Sequence, residues 1–188
     1  MSPVLQNALR FLVLTLFNLY LFILGIRLIL VWAGTDYWHP FTQFIVKMTR
    51  PLIDPLRRIL PNYQKIETAT LVLIVVLETL KLLILALLSI GLPHILGLML
   101  IVLADTLNLF IQIFFYAILL QALLSWLQPG SEINRFLIRI TYPVLKPFQR
   151  LIPPISGIDL SPLAAIIVLQ LLIIVLIDPL RQLGIFNL

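Results

Sequence analysis

One 21-residue pattern occurs twice in this chain. Residues 41–61 read FTQFIVKMTRPLIDPLRRILP and residues 133–153 read INRFLIRITYPVLKPFQRLIP. At a constant offset of 92, Phe44, Thr49, Pro51, Pro55, Arg58 and Pro61 return as Phe136, Thr141, Pro143, Pro147, Arg150 and Pro153. A repeat of this period marks a structural unit present in two copies, so a fold must give both copies equivalent surroundings.

Those surroundings are apolar. Hydrophobic residues make up 61% of the chain and charged residues 11%, with a mean hydropathy of +1.11. That composition leaves too little polar surface for a water-soluble domain, and a helix of about 20 apolar residues spans a bilayer core about 30 Å thick. The expected fold is an all-α membrane protein with four transmembrane helices from two parallel repeats, each with an amphipathic, proline-broken cytoplasmic loop. The first repeat covers 1–92, with spans near 11–33 and 70–90. The second covers 93–188, with a short apolar segment at 93–104 and spans near 107–127 and 162–180. Residues 11–33 exceed a signal-peptide core and carry no small-residue cleavage site, so a retained span is expected.

Charge orients the spans. Nine of the 13 basic residues lie in the two repeat loops, whereas the connection at 91–106 has none. The positive-inside rule puts both loops in the cytoplasm. A span at 93–104 would send the loops to opposite faces, so a short interfacial or re-entrant helix is expected there. The copies are then related by a pseudo-two-fold axis along the membrane normal.

Within each loop, Phe41, Phe44, Ile45 and Met48, and again Ile133, Phe136, Leu137 and Ile140, fall at i, i+3, i+4 and i+7. That spacing makes one apolar helical stripe with basic residues beside it, suited to a helix lying among anionic headgroups. Lys47, Arg57, Arg58, Arg139, Lys146 and Arg150 are the candidate lipid or partner contacts, with Arg58 and Arg150 directed at phosphate or carboxylate groups. Pro51, Pro55, Pro61, Pro143, Pro147 and Pro153 are expected to break the helix and shape the loop, because each removes a backbone donor. Ser161 followed by Pro162, with Asp159 nearby, reads as the cap of the last span.

Trp126, an amphipathic stretch, then Thr141, Pro143, Pro147, Arg150 and Pro153, then Gly157, Asp159, Ser161 and Pro162 resemble the YggT/YlmG family of small integral membrane proteins. Copy one departs at the last motif, where Ile66, Glu67 and Thr68 stand. The duplicated arrangement is similar to the proteobacterial YggT type, which implies a multi-pass protein of the bacterial inner membrane. The resemblance implies association with osmotic or extracytoplasmic stress and with cell-division gene clusters. Plastid relatives are associated with cytochrome b6 haem attachment and nucleoid organisation. Roles so scattered imply a membrane organiser or assembly factor rather than one fixed reaction.

Three ionisable residues fall inside the predicted spans. Glu78 lies roughly 15 Å along span two from Thr68, and Lys81 follows at i+3, in pairing range. Arg27 in span one is long enough to reach Glu78 or the cytoplasmic surface. Charges at such depth either fix the packing of spans one and two or line an ion or proton path. The equivalents in copy two, Gln170 for Glu78 and, with a two-residue change of offset, Gln121 for Arg27, are only polar. Asp178 and Arg181 read as a pair at a helix end.

The chain has no cysteine, and its two histidines, His39 and His94, are expected on opposite faces, so no metal, haem or other cofactor is expected. No catalytic or phosphate-loop motif appears and no enzyme is expected. The expected partners are a bilayer with anionic headgroups and an unidentified membrane or cytoplasmic protein; a homo-oligomer stays open, and nucleic acid is not expected. Two readings stand: a non-enzymatic membrane organiser acting through the basic loops, and a small oligomeric ion channel or transporter active in osmotic stress.

Overall fold

The computed structural model describes residues 3–35, 37–63, 66–89, 94–152 and 159–186. Seven α-helices carry the described chain: α1 (Pro3–Trp32), α2 (Pro40–Arg57), α3 (Thr68–Ser89), α4 (Ile95–Leu127), α5 (Glu132–Leu151), α6 (Ser161–Leu172) and α7 (Asp178–Phe186). A π-helical turn at Ile173–Ile177 joins α6 to α7, so Ser161–Ile185 forms one apolar helix. Together with Pro3–Trp32, Thr68–Leu88 and Ile95–Leu127 it gives four helices long and apolar enough to cross a membrane.

The order long helix, shorter helix, span is executed twice. α1 packs on α2 and α3, α4 packs on α5 and on the α6–α7 span, and α1 and α4 also touch each other. Leu21, Leu24, Leu28, Leu73 and Ile74 fill the space between α1 and α3, with Ile53 of α2 closing one end. Ile118, Leu145, Ala165 and Leu169 do the same in copy two. Ile29, Leu30, Ile45, Ile113 and Ile140 join the copies.

Two expectations are corrected here. Residues 95–104 form no separate interfacial or re-entrant element; they are the first third of α4, which runs unbroken from Ile95 to Leu127. Pro93 precedes the helix in sequence, and Asp105, the acid that follows the apolar segment, is held mid-helix by Arg181 of α7. The span count stays at four because the longer helix crosses only once.

The prolines do not break the loops either. α2 continues through Pro51 and Pro55, and α5 through Pro143 and Pro147. A proline frees the carbonyl four residues back. Here those carbonyls belong to Lys47, Pro51, Arg139 and Pro143, all exposed residues, so the surroundings can satisfy them. The conserved-spacing threonines also bind the turn: Thr49 Oγ1 lies 2.7 Å from Ile45 O, and Thr141 Oγ1 lies 2.9 Å from Leu137 O. Pro61 follows the end of α2, whereas Pro153 lies outside the described residues.

α4 and α7 approach closely at Gly184. A Cβ there would stand 2.6 Å from Ile101 Cγ1, 3.0 Å from Gly97 O and 3.2 Å from Ile101 N. Two of those three atoms are backbone and cannot swing away, so Gly184→Val must separate the helices. The expected loss is about 1–3 kcal/mol, read as a lower unfolding midpoint in detergent. Gly25→Ala is the control, because the side-chain ends of Ile113 and Leu109 are what it meets. Equal midpoints for Gly184→Val and wild type would contradict the close packing.

Candidate functional site

The repeated helices share a buried face and a basic face, and α2 presents a third. In α2, Thr42, Ile45, Thr49 and Ile53 are buried against the bundle. Phe44, Met48 and Leu52 form an exposed apolar face, and Lys47, Arg50 and Arg58 lie exposed on a third. α5 repeats the buried face with Asn134, Leu137, Ile140, Thr141 and Leu145 and the basic face with Arg135, Arg139, Lys146 and Arg150. Phe136, Ile140 and Val144, the equivalents of Phe44, Met48 and Leu52, pack into the bundle rather than standing exposed. The two helices meet near their starts, where Phe136 stacks on His39 at 4.1 Å and stands edge-on to Phe41 at 5.8 Å. All six predicted contact residues are thus exposed, but not all are uncommitted. Arg57 pairs with Glu67, and Lys146 lies 5.4 Å over the Tyr142 ring.

Beneath α2 sits a buried ion network. The Arg27 guanidinium grips Glu67 with two bonds, Nε to Oε2 at 2.8 Å and Nη2 to Oε1 at 2.9 Å, and donates from Nη1 to Thr49 Oγ1 at 2.6 Å. Thr70 Oγ1 donates to Glu67 Oε2 at 2.6 Å. Burial pushes the Glu67 carboxyl up, but the hydrogen bonds from Arg27 and Thr70 and the charges of Arg27 and Arg57 outweigh it, leaving it below the ordinary carboxylate range. Arg27 therefore turns away from Glu78, which sequence length alone allowed it to reach.

Copy two keeps two of these contacts with amides in place of the cations. Gln121 replaces Arg27 and meets Thr141 Oγ1 at 2.5 Å. Gln149 replaces Arg57 and donates to Asp159 Oδ2 at 3.2 Å. Gln149, Asp159 and Thr141 stand 92 residues on from Arg57, Glu67 and Thr49 and Gln121 stands 94 on from Arg27, so copy two replaces both cations by amides and keeps the threonine and the acid. The expected Ser161 cap is corrected: Asp159 Oδ1 accepts the Ser161 N–H at 2.8 Å, while the Ser161 hydroxyl is fully buried inside the bundle. Pro162 stands in the first turn of α6.

A second cluster occupies the half of the bundle remote from α2 and α5. Glu78 pairs with Lys81 on α3; Lys81 Nζ donates to Asn18 Oδ1 at 3.1 Å and lies 3.9 Å from Asp105 Oδ2. Arg181 Nε donates to Asp105 Oδ1 at 3.0 Å. Arg181 thus pairs across to α4 rather than with Asp178 at its own helix end. The π-helical turn lies just before Asp178-Pro179, where the helical ladder adapts to a missing donor and resets the facing of α7. Along α1, Asn18 and Arg27 are about 13 Å apart, and Leu21, Leu24, Leu73 and Ile74 pack between the two clusters. Asn18 is the member that sequence reading passed over, and Glu67, Asp105 and Arg181 were not assigned these partners; the signal available for Glu67 was its equivalence to Asp159. No cluster of metal-ligand type occurs among the described residues.

Fold and site together define a multi-pass helical membrane protein of two tandem copies, each pinning a surface helix to its spans through a threonine-centred polar contact. The CCB3/YggT family model matches residues 6–88 and again 100–180. The chain belongs to that family. It is 37% identical over 168 residues to the YggT protein of Escherichia coli, covering 89% of this chain and 88% of that one. It is 37% identical over 194 residues to a protein of Pseudomonas aeruginosa, covering 97% and 98%. The ycf19 protein of Porphyra purpurea is 41% identical over 69 residues, which is 35% of this chain and 73% of its own length. No solved structure matches.

Proposed function

We propose that this protein is a non-enzymatic organiser of the bacterial inner membrane, in which α2 and α5 form a basic cytoplasmic platform that takes anionic headgroups and recruits a protein partner during osmotic or extracytoplasmic stress. The observation carrying this reading is that both repeated helices are pinned to the bundle by one face and present a row of exposed bases on another. α2 adds a third, exposed apolar face of Phe44, Met48 and Leu52. A helix so divided rests at the headgroup boundary, apolar face toward acyl chains and bases toward phosphates. Positive residues concentrated at one end favour the cytoplasmic side for it.

Lys47→Gln, Arg58→Gln, Lys146→Gln and Arg150→Gln combined should weaken retention of phosphatidylglycerol by roughly 1 kcal/mol per base. Native mass spectrometry of protein from mixed phosphatidylglycerol–phosphatidylethanolamine nanodiscs measures this. Unchanged retention of phosphatidylglycerol would remove the platform.

The second reading, a small oligomeric channel or transporter, draws on the charged cluster remote from α2 and α5. Within one chain that cluster and the Arg27 network are separated by packed leucines, so a path would have to run between copies. Liposomes that pass neither sodium, potassium nor protons, with or without an osmotic gradient, would exclude it.

A further inference from the structure

We infer that the charged cleft in the half of the bundle remote from α2 and α5 binds a small zwitterion, an ammonium and an acid anion on one molecule, either as a free solute or as a phospholipid headgroup. The inference does not rest on the lipid platform. The cleft measures about 590 Å³ and is lined from α1, α3, α4 and α7, within the range of small-molecule sites. Its charged lining is balanced: Glu78 and Asp105 against Lys81 and Arg181. A lone cation or anion entering a charge-balanced site leaves one charge uncompensated, whereas a zwitterion adds none.

The internal pairs leave a defined opening for it. Lys81 to Asp105, at 3.9 Å, is the loosest link of the chain of charges. Beside it, Asn108 Oδ1 is buried with no hydrogen-bond partner among the described residues. An ammonium seated there is shared by Asp105 and Asn108, and the anion then falls to Lys81 and to Arg181, whose side chain is 41% exposed at the cleft. The site is built once: 92 positions on from Glu78 and Lys81 stand Gln170 and Ile173. Leu21 lines its floor, with Leu24 and Ile74 packed in the same cluster, so the cleft is a place to bind rather than a passage.

The chain has no cysteine, so Gln112→Cys, or Thr15→Cys as a second reporter, lets a membrane-impermeant maleimide report this cleft alone. In phosphatidylglycerol nanodiscs, a free-solute site predicts that glycine slows labelling about tenfold at roughly ten times its dissociation constant, while methylammonium and acetate do not. A headgroup site predicts no effect of glycine and the same slowing when phosphatidylethanolamine replaces phosphatidylglycerol. In either case Asp105→Asn with Arg181→Gln should abolish protection and leave labelling intact. Unreactive cysteines in both reporters, no protection by glycine or phosphatidylethanolamine, equal protection by acetate or methylammonium, or protection that survives the double substitution would each overturn the inference.

Discussion

Glu67→Gln should destabilise the protein by about 3–5 kcal/mol, because it strands a guanidinium inside the bundle. The Arg27 side chain is 3% exposed and Glu67 is the carboxylate it pairs with. Arg57 does not depend on Glu67 in the same way, since it reaches the surface. The control is already present in the chain. Copy two places Gln121 on Thr141 where copy one places Arg27 on Thr49. Arg27→Gln combined with Glu67→Gln should therefore recover most of the loss, leaving a deficit on the order of one or two hydrogen bonds, about 1–2 kcal/mol. Unfolding midpoints in detergent for wild type, single and double variants test this, and a double variant no better than the single would refute the counter-charge role. Acidity supplies a second readout. Burial raises the Glu67 carboxyl, the cations and hydrogen bonds around it lower it further, and the folded value ends below the ordinary 4.5. A depressed folded pKa gives stability that is complete above the unfolded value and lost as pH falls through the folded one. The gap between wild type and Glu67→Gln should hold at neutral pH and narrow below that ordinary value.

How far the sequence reaches is decided by the range of each interaction. The repeat, the four apolar runs and the helical stripe of each loop are local signals, and all four spans follow from them. Pro51, Pro55, Pro143 and Pro147 misled because local rules price a proline by the bond it removes, not by where the freed carbonyl lies. On an exposed face that carbonyl is satisfied from outside and the helix runs on. Residues 95–104 misled for the opposite reason. Asp105 looks like an interruption until Arg181, 76 residues later, supplies its counter-charge. The repeat, read with a two-residue change of offset, did foretell one long-range relation, since it matched Gln121 to Arg27, and both prove to lie on the equivalent threonines. It did not foretell that Glu67, noted only as a loop end opposite Asp159, is the partner of Arg27. That contact depends on how α2 lies beneath the spans, which no local pattern encodes.

Lys81→Met should be more damaging than Glu78→Gln, although the two residues form one pair. Lys81 stands between two carboxylates, paired with Glu78 and 3.9 Å from Asp105, and also donates to Asn18. Without it, Glu78, with a side chain 3% exposed, must either hold an unpaired charge or take up a proton, and Arg181 is committed to Asp105. The expected cost is about 3–5 kcal/mol, that of a buried charge left alone. Glu78→Gln leaves Lys81 its contacts with Asn18 and Asp105, so the loss should stay near that of one charged hydrogen bond, about 1.5–3 kcal/mol. Unfolding midpoints in one detergent rank the two variants, and the reverse order would mean that Glu78, not Lys81, holds the cluster together. Glu78→Gln with Lys81→Met removes both charges and should restore stability well above Lys81→Met alone. That double variant then separates folding from function. If it folds yet fails to support growth through osmotic upshift and downshift at matched expression, charge within the bilayer acts beyond packing. If it folds and supports growth, the pair is structural and the basic end of the bundle carries the activity.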